Sequence, residues 1–237
     1  MEKRLELLPI YRIWNETYWG ELGLITFDST AFPGLVLLTY IDWAERNNHN
    51  VVIIDVLDAF KEYTSKLSLL GVNPERYSDV KVIKIAGRYN VGNIITKIPT
   101  IDEAEVERKL SPLLDVQYSR KTATAVIGIS KVFALYSERE SLSLVDYILG
   151  FVGDKRRKAF YFVNLDILKN APSIVLPMLT GICTTVVNVK KEPKKQRINV
   201  VKALNFDLED LKAEANLKDV VRLLTDSPEK ILDGERK

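Results

Sequence analysis

Two short stretches contain the residues whose types and spacing are best suited to binding or catalysis. They are Asp28–Gly34, with the sequence D-S-T-A-F-P-G, and Asp55–Phe60, with the sequence D-V-L-D-A-F. Hydroxyl and backbone N–H groups in a loop before a helix can bind phosphate, and two carboxylates at a strand end are candidates for acid–base chemistry. The predicted ligand-binding residues are Asp28, Ser29, Thr30, Phe32, Gly34, Asp55, Asp58 and Phe60.

Hydrophobic patterns around these stretches predict the elements that position them. The apolar run Leu22–Phe27 predicts a strand, Leu35–Arg46 has the periodicity of a helix, and the β-branched run Val51–Val56 predicts a strand buried on both faces. Pro33 and Gly34 lie where the helix should start. Together they predict a strand–loop–helix–strand unit, the arrangement in which many proteins bind a nucleotide phosphate.

The rest of the chain also alternates between the two periodicities. Further strands are predicted over Val80–Ala86, Thr122–Leu135 (running into a loop), Ala159–Leu165, Cys183–Val189 and Ile198–Ala203. Further helices are predicted over Ala59–Leu70, Ile101–Leu114, Ser141–Phe151, Pro172–Leu179 and 207–225, and loops over 87–93, 153–158 and Lys190–Arg197. This alternation predicts an α/β fold with a mostly parallel central sheet and a C-terminal hairpin.

The chain is predicted to form a single domain over residues 1–237. Residues 1–20 are rich in large apolar side chains and are interpreted as a lead-in segment that packs on the core. The alternative is an aromatic arm that docks on a neighbouring subunit. Residues 207–237 are interpreted as a C-terminal helix followed by a frayed tail over 226–237.

The order and spacing of these elements resemble the RecA/KaiC/RadA-like ATPase core over roughly residues 18–205. The stretch Ile54–Phe60 resembles the RadA-type sequence I-D-T-E-G-T-F, and R-I-N-V-V-K at 197–202 resembles the end of such cores. The chain also resembles a small family of archaeal proteins of unknown function built on that core. The resemblance implies a three-layer RecA-like P-loop NTPase fold.

The phosphate-binding motif of that core, G-x-x-x-x-G-K-[ST], is degenerate in this sequence. When the second glycine is aligned with Gly34, Ser29 replaces the first glycine and Pro33 removes one backbone N–H group. Leu35 stands at the position of the lysine and Val36 at the position of the Mg²⁺-binding hydroxyl. The motif therefore lacks the groups that hold and activate a triphosphate.

Two further catalytic positions also differ from the resembled family. Leu57 stands where a RadA-type glutamate positions the attacking water, and Gly128 replaces the aspartate that ends the next central strand. The sequence is therefore expected not to hydrolyse ATP and to need no cofactor. Asp55 and Asp58 form either a carboxylate pair at the sheet edge or, as we favour, loop caps.

Other kinds of site find little support. The chain has one histidine, His49, which is predicted to be a solvent-facing loop residue, and one cysteine, Cys183, so a His/Cys metal cluster and an internal disulfide are excluded. Ser130 and Lys131 would face opposite ways on a strand. The absence of a long apolar run and of a signal peptide predicts a cytoplasmic protein without membrane contact.

Charge and composition also limit the partners. The net charge is only +2, and the basic stretches Lys155–Lys158 and Lys190–Arg197 lack interleaved aromatic residues, which argues against nucleic acid as a partner. Glutamine is scarce while Lys, Glu and Arg are plentiful, a composition that leans towards a thermophile.

We expect a non-catalytic RecA-like protein that acts as a scaffold or as a module binding a protein or peptide, including a second copy of itself. Its cleft would be formed by the two stretches Asp28–Gly34 and Asp55–Phe60, and Phe32 would make that cleft more apolar. The alternatives are a regulator that binds nucleotide without hydrolysing it and a nucleic-acid accessory protein using the basic stretches.

Overall fold

The computed structural model describes residues 9–225. Within these residues, the strands are β1 (Leu22–Phe27), β2 (Asn50–Val56), β3 (Lys81–Ile85), β4 (Asn93–Ile98), β5 (Thr122–Ile127), β6 (Arg157–Asn164), β7 (Thr185–Glu192), β8 (Lys195–Lys202) and β9 (Lys212–Asn216). They form one sheet in the order β4-β3-β2-β5-β6-β1-β7-β8-β9. All pairs from β4 to β7 are parallel, whereas β8 pairs antiparallel with both β7 and β9.

Helices cover both faces of this sheet. They are α1 (Pro9–Glu16), α2 (Pro33–Arg46), α3 (Ala59–Leu69), α4 (Glu103–Gln117), α5 (Ile129–Phe133), α6 (Glu138–Leu149), α7 (Leu165–Leu168), α8 (Val175–Ile182) and α9 (Leu217–Thr225), with short 3₁₀ helices at Pro74–Tyr77 and Phe206–Leu208. One core lies under α1, α2 and α3, and a second core lies under α4, α6 and α8. The mostly parallel sheet between two helical layers confirms the predicted three-layer α/β fold.

The elements around the predicted site form largely where the hydrophobic pattern places them. Every residue of β1 and β2 is buried, as expected for parallel strands covered on both faces. Helix α2 begins at Pro33 and is buried from Pro33 to Ala44, because it lies between the sheet and α1. The parallel strands β1, β2, β5 and β6 therefore bring their C-terminal ends to one edge of the sheet.

The N-terminal segment packs on the core where it is described. The side chains of Ile13 and Trp14 are fully buried, and the Trp14 ring lies 4.9 Å from Tyr40 and 4.8 Å from Phe160 between ring centroids. The interpretation as a packed lead-in therefore fits residues 9–20. The remaining lead-in residues 1–8 and the predicted tail 226–237 lie outside the described residues, and the single domain over residues 1–237 stays a prediction.

The hydrophobic pattern predicted the wrong secondary structure at the edges of the sheet and in the charged segments. Strand β4 was not predicted, and the predicted helix 207–225 is instead the edge strand β9 followed by the shorter α9. Most of Lys190–Arg197 is not a loop but the paired ends of β7 and β8, which turn at Pro193 and Lys194. Arg157 and Lys158 belong to β6 rather than to a turn, and the apolar run after β5 folds into α5.

Among residues 9–225, no helix combines the length and the apolar character that crossing a bilayer requires.

Candidate functional site

A small cavity lies at the edge of the sheet where β1, β5 and β6 end. Its volume is about 40 Å³. Its walls come from the loops after these strands and from α3, and the lining side chains include Asp28, Ser29, Glu62, Tyr63, Lys66, Gly128, Ser130, Lys131 and Asn164. Of the predicted site residues, only Asp28 and Ser29 line it.

The loop after β1 is held by carboxylates of the chain itself. Asp28 Oδ1 accepts hydrogen bonds from the backbone N of Thr30 at 2.8 Å and from its hydroxyl at 2.5 Å. The backbone N of Ser29 donates to Asp166 Oδ2 at 2.8 Å. Hydrogen bonds from Lys169 and then from Ser29 lower the pKa of Asp166 to about 2, so this carboxylate is ionised at neutral pH. Two N–H groups of the loop are thus already bound to negative charge.

The next residues of the predicted site pack inside the protein. Gly34 allows α2 to approach α3 closely, because a Cβ atom at this position would lie 3.2 Å from Tyr63 Cβ. Leu35 and Val36, which the sequence resemblance aligned with the lysine and hydroxyl of a phosphate-binding loop, are only 3% and 2% exposed. Phe32 is half-buried against the core. These residues support the fold and do not face the cavity.

The side chains of Asp55 and Asp58 both bind Lys84, which was not among the predicted site residues. Lys84 Nζ lies 2.9 Å from Asp55 Oδ2 and 2.5 Å from Asp58 Oδ1, and both Lys84 and Asp55 are 2% exposed. The other oxygen of Asp55 accepts a hydrogen bond from the N–H of Phe60, in the first turn of α3. Asp58 also accepts hydrogen bonds from the backbone N–H groups of Arg88 and Tyr89, so the favoured reading of both aspartates as loop caps agrees with the geometry.

The pKa values within this cluster follow from its hydrogen bonds. Burial opposes ionisation of Asp58, but the hydrogen bonds from Lys84, Arg88 and Tyr89 outweigh it and lower the pKa of Asp58. Burial likewise opposes the charge on Lys84, but Asp58 and Asp55 outweigh it and raise the pKa of Lys84. The cluster is therefore a charged structural clamp between the ends of β2 and β3. Phe60 is fully buried beside it.

Gly128 occupies its position for steric reasons. Its φ angle is +84°, and a Cβ atom would lie 2.1 Å from the carbonyl oxygen of Val56. An aspartate, which the resembled ATPases have at this strand end, does not fit without displacing the backbone. Leu57, at the position of their glutamate, also has a positive φ angle, 52°.

Two lysines and one glutamate complete the cavity wall. Lys131 Nζ donates to the carbonyl oxygen of Leu57 at 3.1 Å and lies 3.4 Å from Glu62 Oε2. Lys66 lies 2.9 Å from the other oxygen of Glu62. Ser130 Oγ accepts a hydrogen bond from the backbone N of Asn164 at 2.8 Å. Ser130 and Lys131 both lie in α5, and the expectation that they sit on a strand was wrong.

His49 was predicted to face solvent, but it is half-buried between two indole rings. Its ring centroid lies 4.8 Å from Trp19 and 5.4 Å from Trp43. Burial, reinforced by Lys158 and Lys121, lowers its pKa. Within residues 9–225, no group of three or more His, Cys, Asp or Glu side chains is placed to hold a metal ion.

The two basic stretches are largely neutralised or buried. Arg156 pairs with Asp154 at 2.7 Å, and Arg157 and Lys158 are 2% and 1% exposed. Lys195 and Arg197 both pair with Glu214 across the β8–β9 ladder, at 2.9 and 2.7 Å. These contacts pair or bury five of the nine cations in the two stretches, which reduces the charge available for phosphate binding.

Comparison with solved structures places the fold. A Pyrococcus horikoshii OT3 protein studied under the project identifier PH0250 superimposes with a TM-score of 0.74 at 20% identity, covering 85% of this chain and 95% of that chain. The KaiC-like protein PH0186 from the same hyperthermophilic archaeon gives 0.58 at 12% identity, covering 83% and 85%. The flagellar accessory protein FlaH from Methanocaldococcus jannaschii gives 0.54 at 15% identity, covering 84% of each chain.

These similarities confirm the resemblance to a KaiC/RecA-like core in a small archaeal family. The sequence has no significant match among curated proteins. One family model, however, matches residues 13–214, which is most of the chain. The chain therefore belongs to the family described as "Pyrococcus protein of unknown function, DUF257".

Proposed function

We propose that this protein is a non-catalytic binding module on a KaiC/RecA-like core, and that it binds a segment of a protein partner at the cavity on the sheet edge. The observation behind this proposal is the state of the loop after β1. Its Ser29 and Thr30 N–H groups are bound by the carboxylates of Asp166 and Asp28. A triphosphate would have to displace them and would meet negative charge where catalysis needs positive charge.

The size and polarity of the cavity favour a protein partner. Ligand pockets for small molecules usually measure about 300–1,000 Å³, whereas this cavity measures about 40 Å³. That space suits one inserted side chain rather than a nucleotide. The rim has both signs of charge, from Glu62 and Asp166 on one hand and from Lys66 and Lys131 on the other. A polar protein segment, from another protein or from a second copy, matches such a rim.

A second candidate function is nucleotide binding without hydrolysis. It is favoured by Lys66 and Lys131, which line the cavity and could replace the missing lysine of the phosphate-binding loop. Both lysines are paired with Glu62, so a nucleotide would have to compete with that carboxylate.

A crosslinking experiment tests the first candidate. A photo-reactive amino acid would replace Lys66, which is exposed on the cavity rim, and the matched control would replace Lys121, which is exposed at the opposite edge of the sheet. In cells of the source organism or a close relative, we expect one dominant crosslinked product at position 66 and none at 121. Equal products at both positions, or none at 66, would contradict the proposal.

A thermal-shift measurement with ATP separates the two candidates. The protein-binding proposal predicts no change in Tm with ATP, with or without Mg²⁺, and no phosphate release. If ATP raises the Tm and Lys131→Met removes that rise while Lys121→Met does not, nucleotide binding is the better description.

A further inference from the structure

Strand β9 ends the sheet, and one side of its backbone has no partner strand among residues 9–225. The N–H of Val200 in β8 donates to the carbonyl oxygen of Leu211, the residue before β9. Because backbone hydrogen bonds alternate along an antiparallel strand, the odd-numbered residues of β9 pair with β8. The backbone N–H and C=O groups of the even-numbered residues therefore point away from the sheet, and these residues are Lys212, Glu214 and Asn216. Another chain can add a strand at such an edge.

The opposite edge of the sheet, β4, is less suited to pairing. Its register with β3 shifts between Val82 and Ile83, which leaves Ile95 of β4 without a partner in β3. Such a bulge bends an edge strand and disturbs the regular spacing that an added strand needs. Strand β9, in contrast, pairs with β8 in one unbroken register. Of the two edges, β9 is therefore the one with a regular row of open backbone groups.

The two faces of β9 restrict the strand that could join it. Lys212 and Glu214 are exposed on one face, whereas on the other face Ala213 is buried and Ala215 is half-buried. A strand that continues the sheet must place charged residues on the first face and small apolar residues on the second. The strand β9 of a second copy has this alternation.

Charge selects one register for two copies of β9. In each hydrogen-bonded pair of such a dimer both residues must be even-numbered, because only these have outward-pointing backbone groups. A two-fold axis at Ala213 places Lys212 of each copy opposite Glu214 of the other, which is favourable at both positions. An axis at Glu214 would place two carboxylates opposite each other, and an axis at Ala215 would pair Glu214 with the neutral Asn216.

We propose that the chain forms a two-fold symmetric homodimer in which β9 pairs antiparallel with β9 of a second copy, centred on Ala213. Lys212 forms no ion pair within residues 9–225 and gains Glu214 of the partner subunit. Glu214 already binds Lys195 and Arg197 through separate oxygens, and each oxygen can accept a further hydrogen bond. Strands β7 and β8 separate β9 from β1, so this interface does not depend on the function proposed for the cavity at the end of β1.

Sedimentation velocity with the purified full-length chain, over a concentration series in low salt, tests this proposal. We expect the wild type to be a dimer. Lys212→Glu would place carboxylates opposite each other at both positions, and Glu214→Lys would do the same with ammonium groups, so each variant alone should weaken the dimer by about tenfold or more. An equimolar mixture of the two variants restores opposite charges at both positions and should dimerise like the wild type. Since both residues are exposed, the fold should tolerate these changes.

A disulfide variant tests the register. Ala213 lies on the proposed axis, where the two Cα atoms would be about 4.5 Å apart, so Ala213→Cys should form an intermolecular disulfide under mild oxidation. Ala215→Cys is the matched control, because two copies of this position are out of reach of each other, and the native Cys183 is buried.

Three results would overturn the proposal. The first is a monomeric wild type, which would mean that residues 226–237 of the same chain or a strand of a different protein occupies this edge. The second is a mixture of Lys212→Glu and Glu214→Lys that associates no better than either variant alone. The third is equal disulfide formation by Ala213→Cys and Ala215→Cys.

Discussion

Lys84 is the residue on which the ends of β2 and β3 depend. Replacing it by methionine would leave Asp55, which is 2% exposed, as a buried carboxylate without its cation. Breaking a buried ion pair on one side costs about 3–5 kcal/mol, and we expect Lys84→Met to lower the free energy of unfolding by that amount. Urea denaturation measures it. Lys81→Met, on the same strand but with only neutral partners, is the matched control and should cost about 1 kcal/mol.

The decrease in unfolding free energy at acid pH tests the same cluster of Asp55, Asp58 and Lys84. The folded pKa of Asp58 is lowered, so its contribution is present above the unfolded pKa of about 3.9 and is lost as the pH falls through the folded value. Asp58→Asn should flatten the stability loss below about pH 4. An unchanged loss of stability at acid pH in this variant would show that Asp58 is not part of the clamp.

Lys158 gives a second dependence of stability on pH. Its pKa is lowered by burial, whereas the pKa of Asp58 is lowered by hydrogen bonds. Burial lowers the pKa of Lys158 to about 7, against the smaller opposing effect of Glu21. Between that value and the unfolded pKa of about 10.4 the unfolded chain binds more protons, so stability gained from this residue rises with pH by up to about 1.4 kcal/mol per unit. The unfolding free energy of the wild type minus that of Lys158→Met should therefore become more positive from pH 7 to pH 10. A difference that stays constant over this pH range would contradict the lowered pKa of Lys158.

For single residues, the sequence predicted which side chains lie at the strand ends but not which residues they bind. Asp55 and Asp58 were identified because they follow a buried strand, but their partner Lys84 lies 29 and 26 residues away along the chain. A lysine inside the apolar run of β3 was the available signal, since a buried cation needs an anion. Asp166, which binds the loop after β1 from 137 residues away, left no local signal.

Among the elements, the turn from β5 into α5 depends on Gly128. Alanine there would require a φ angle of +84° and would place Cβ 2.1 Å from Val56 O. We expect Gly128→Ala to cost about 3 kcal/mol or more, from the left-handed backbone and the contact together. Gly71→Ala is the control, because Gly71 has a φ angle of +91° but nothing within 4 Å of the added atom. It should cost about 1–2 kcal/mol. Equal losses in thermal unfolding of the two variants would refute the contact argument.

Buried strands were easier to predict from the sequence than exposed ones. Strands β1 and β2 are buried along their whole length and give continuous apolar runs, so they were predicted within a few residues. Strand β5 is equally buried, but the apolar run that predicted it continues through α5, so its predicted end at Leu135 lies eight residues beyond Ile127. Strands β4 and β9 lie at the two edges of the sheet, are half-exposed and mix polar with apolar residues. Their strand character comes from hydrogen bonds to β3 and β8, which a local pattern does not contain.

At the scale of the whole molecule, the first turn of α2 is part of the core. Leu35 and Val36 pack with residues of α1, β8 and α9 around a small apolar space that also includes Ile198 and Val220. The position that the predicted motif aligned with a phosphate-binding lysine is therefore filled by apolar packing that links α1 to the antiparallel end of the sheet.

This packing predicts that a lysine introduced at position 35 will destabilise the fold and will not give ATPase activity. Leu35→Lys would place an ammonium group at a position that is 3% exposed, where apolar side chains surround it. Burying an unpaired cation costs roughly 4 kcal/mol or more, so we expect a large drop in Tm and no release of phosphate from ATP. Leu35→Met keeps the volume and should cost less than about 1.5 kcal/mol. A Leu35→Lys protein that keeps its Tm and gains Mg²⁺-dependent ATP hydrolysis would mean that the loop can still reach a phosphate, and that the chain is a dormant ATPase rather than a binding module.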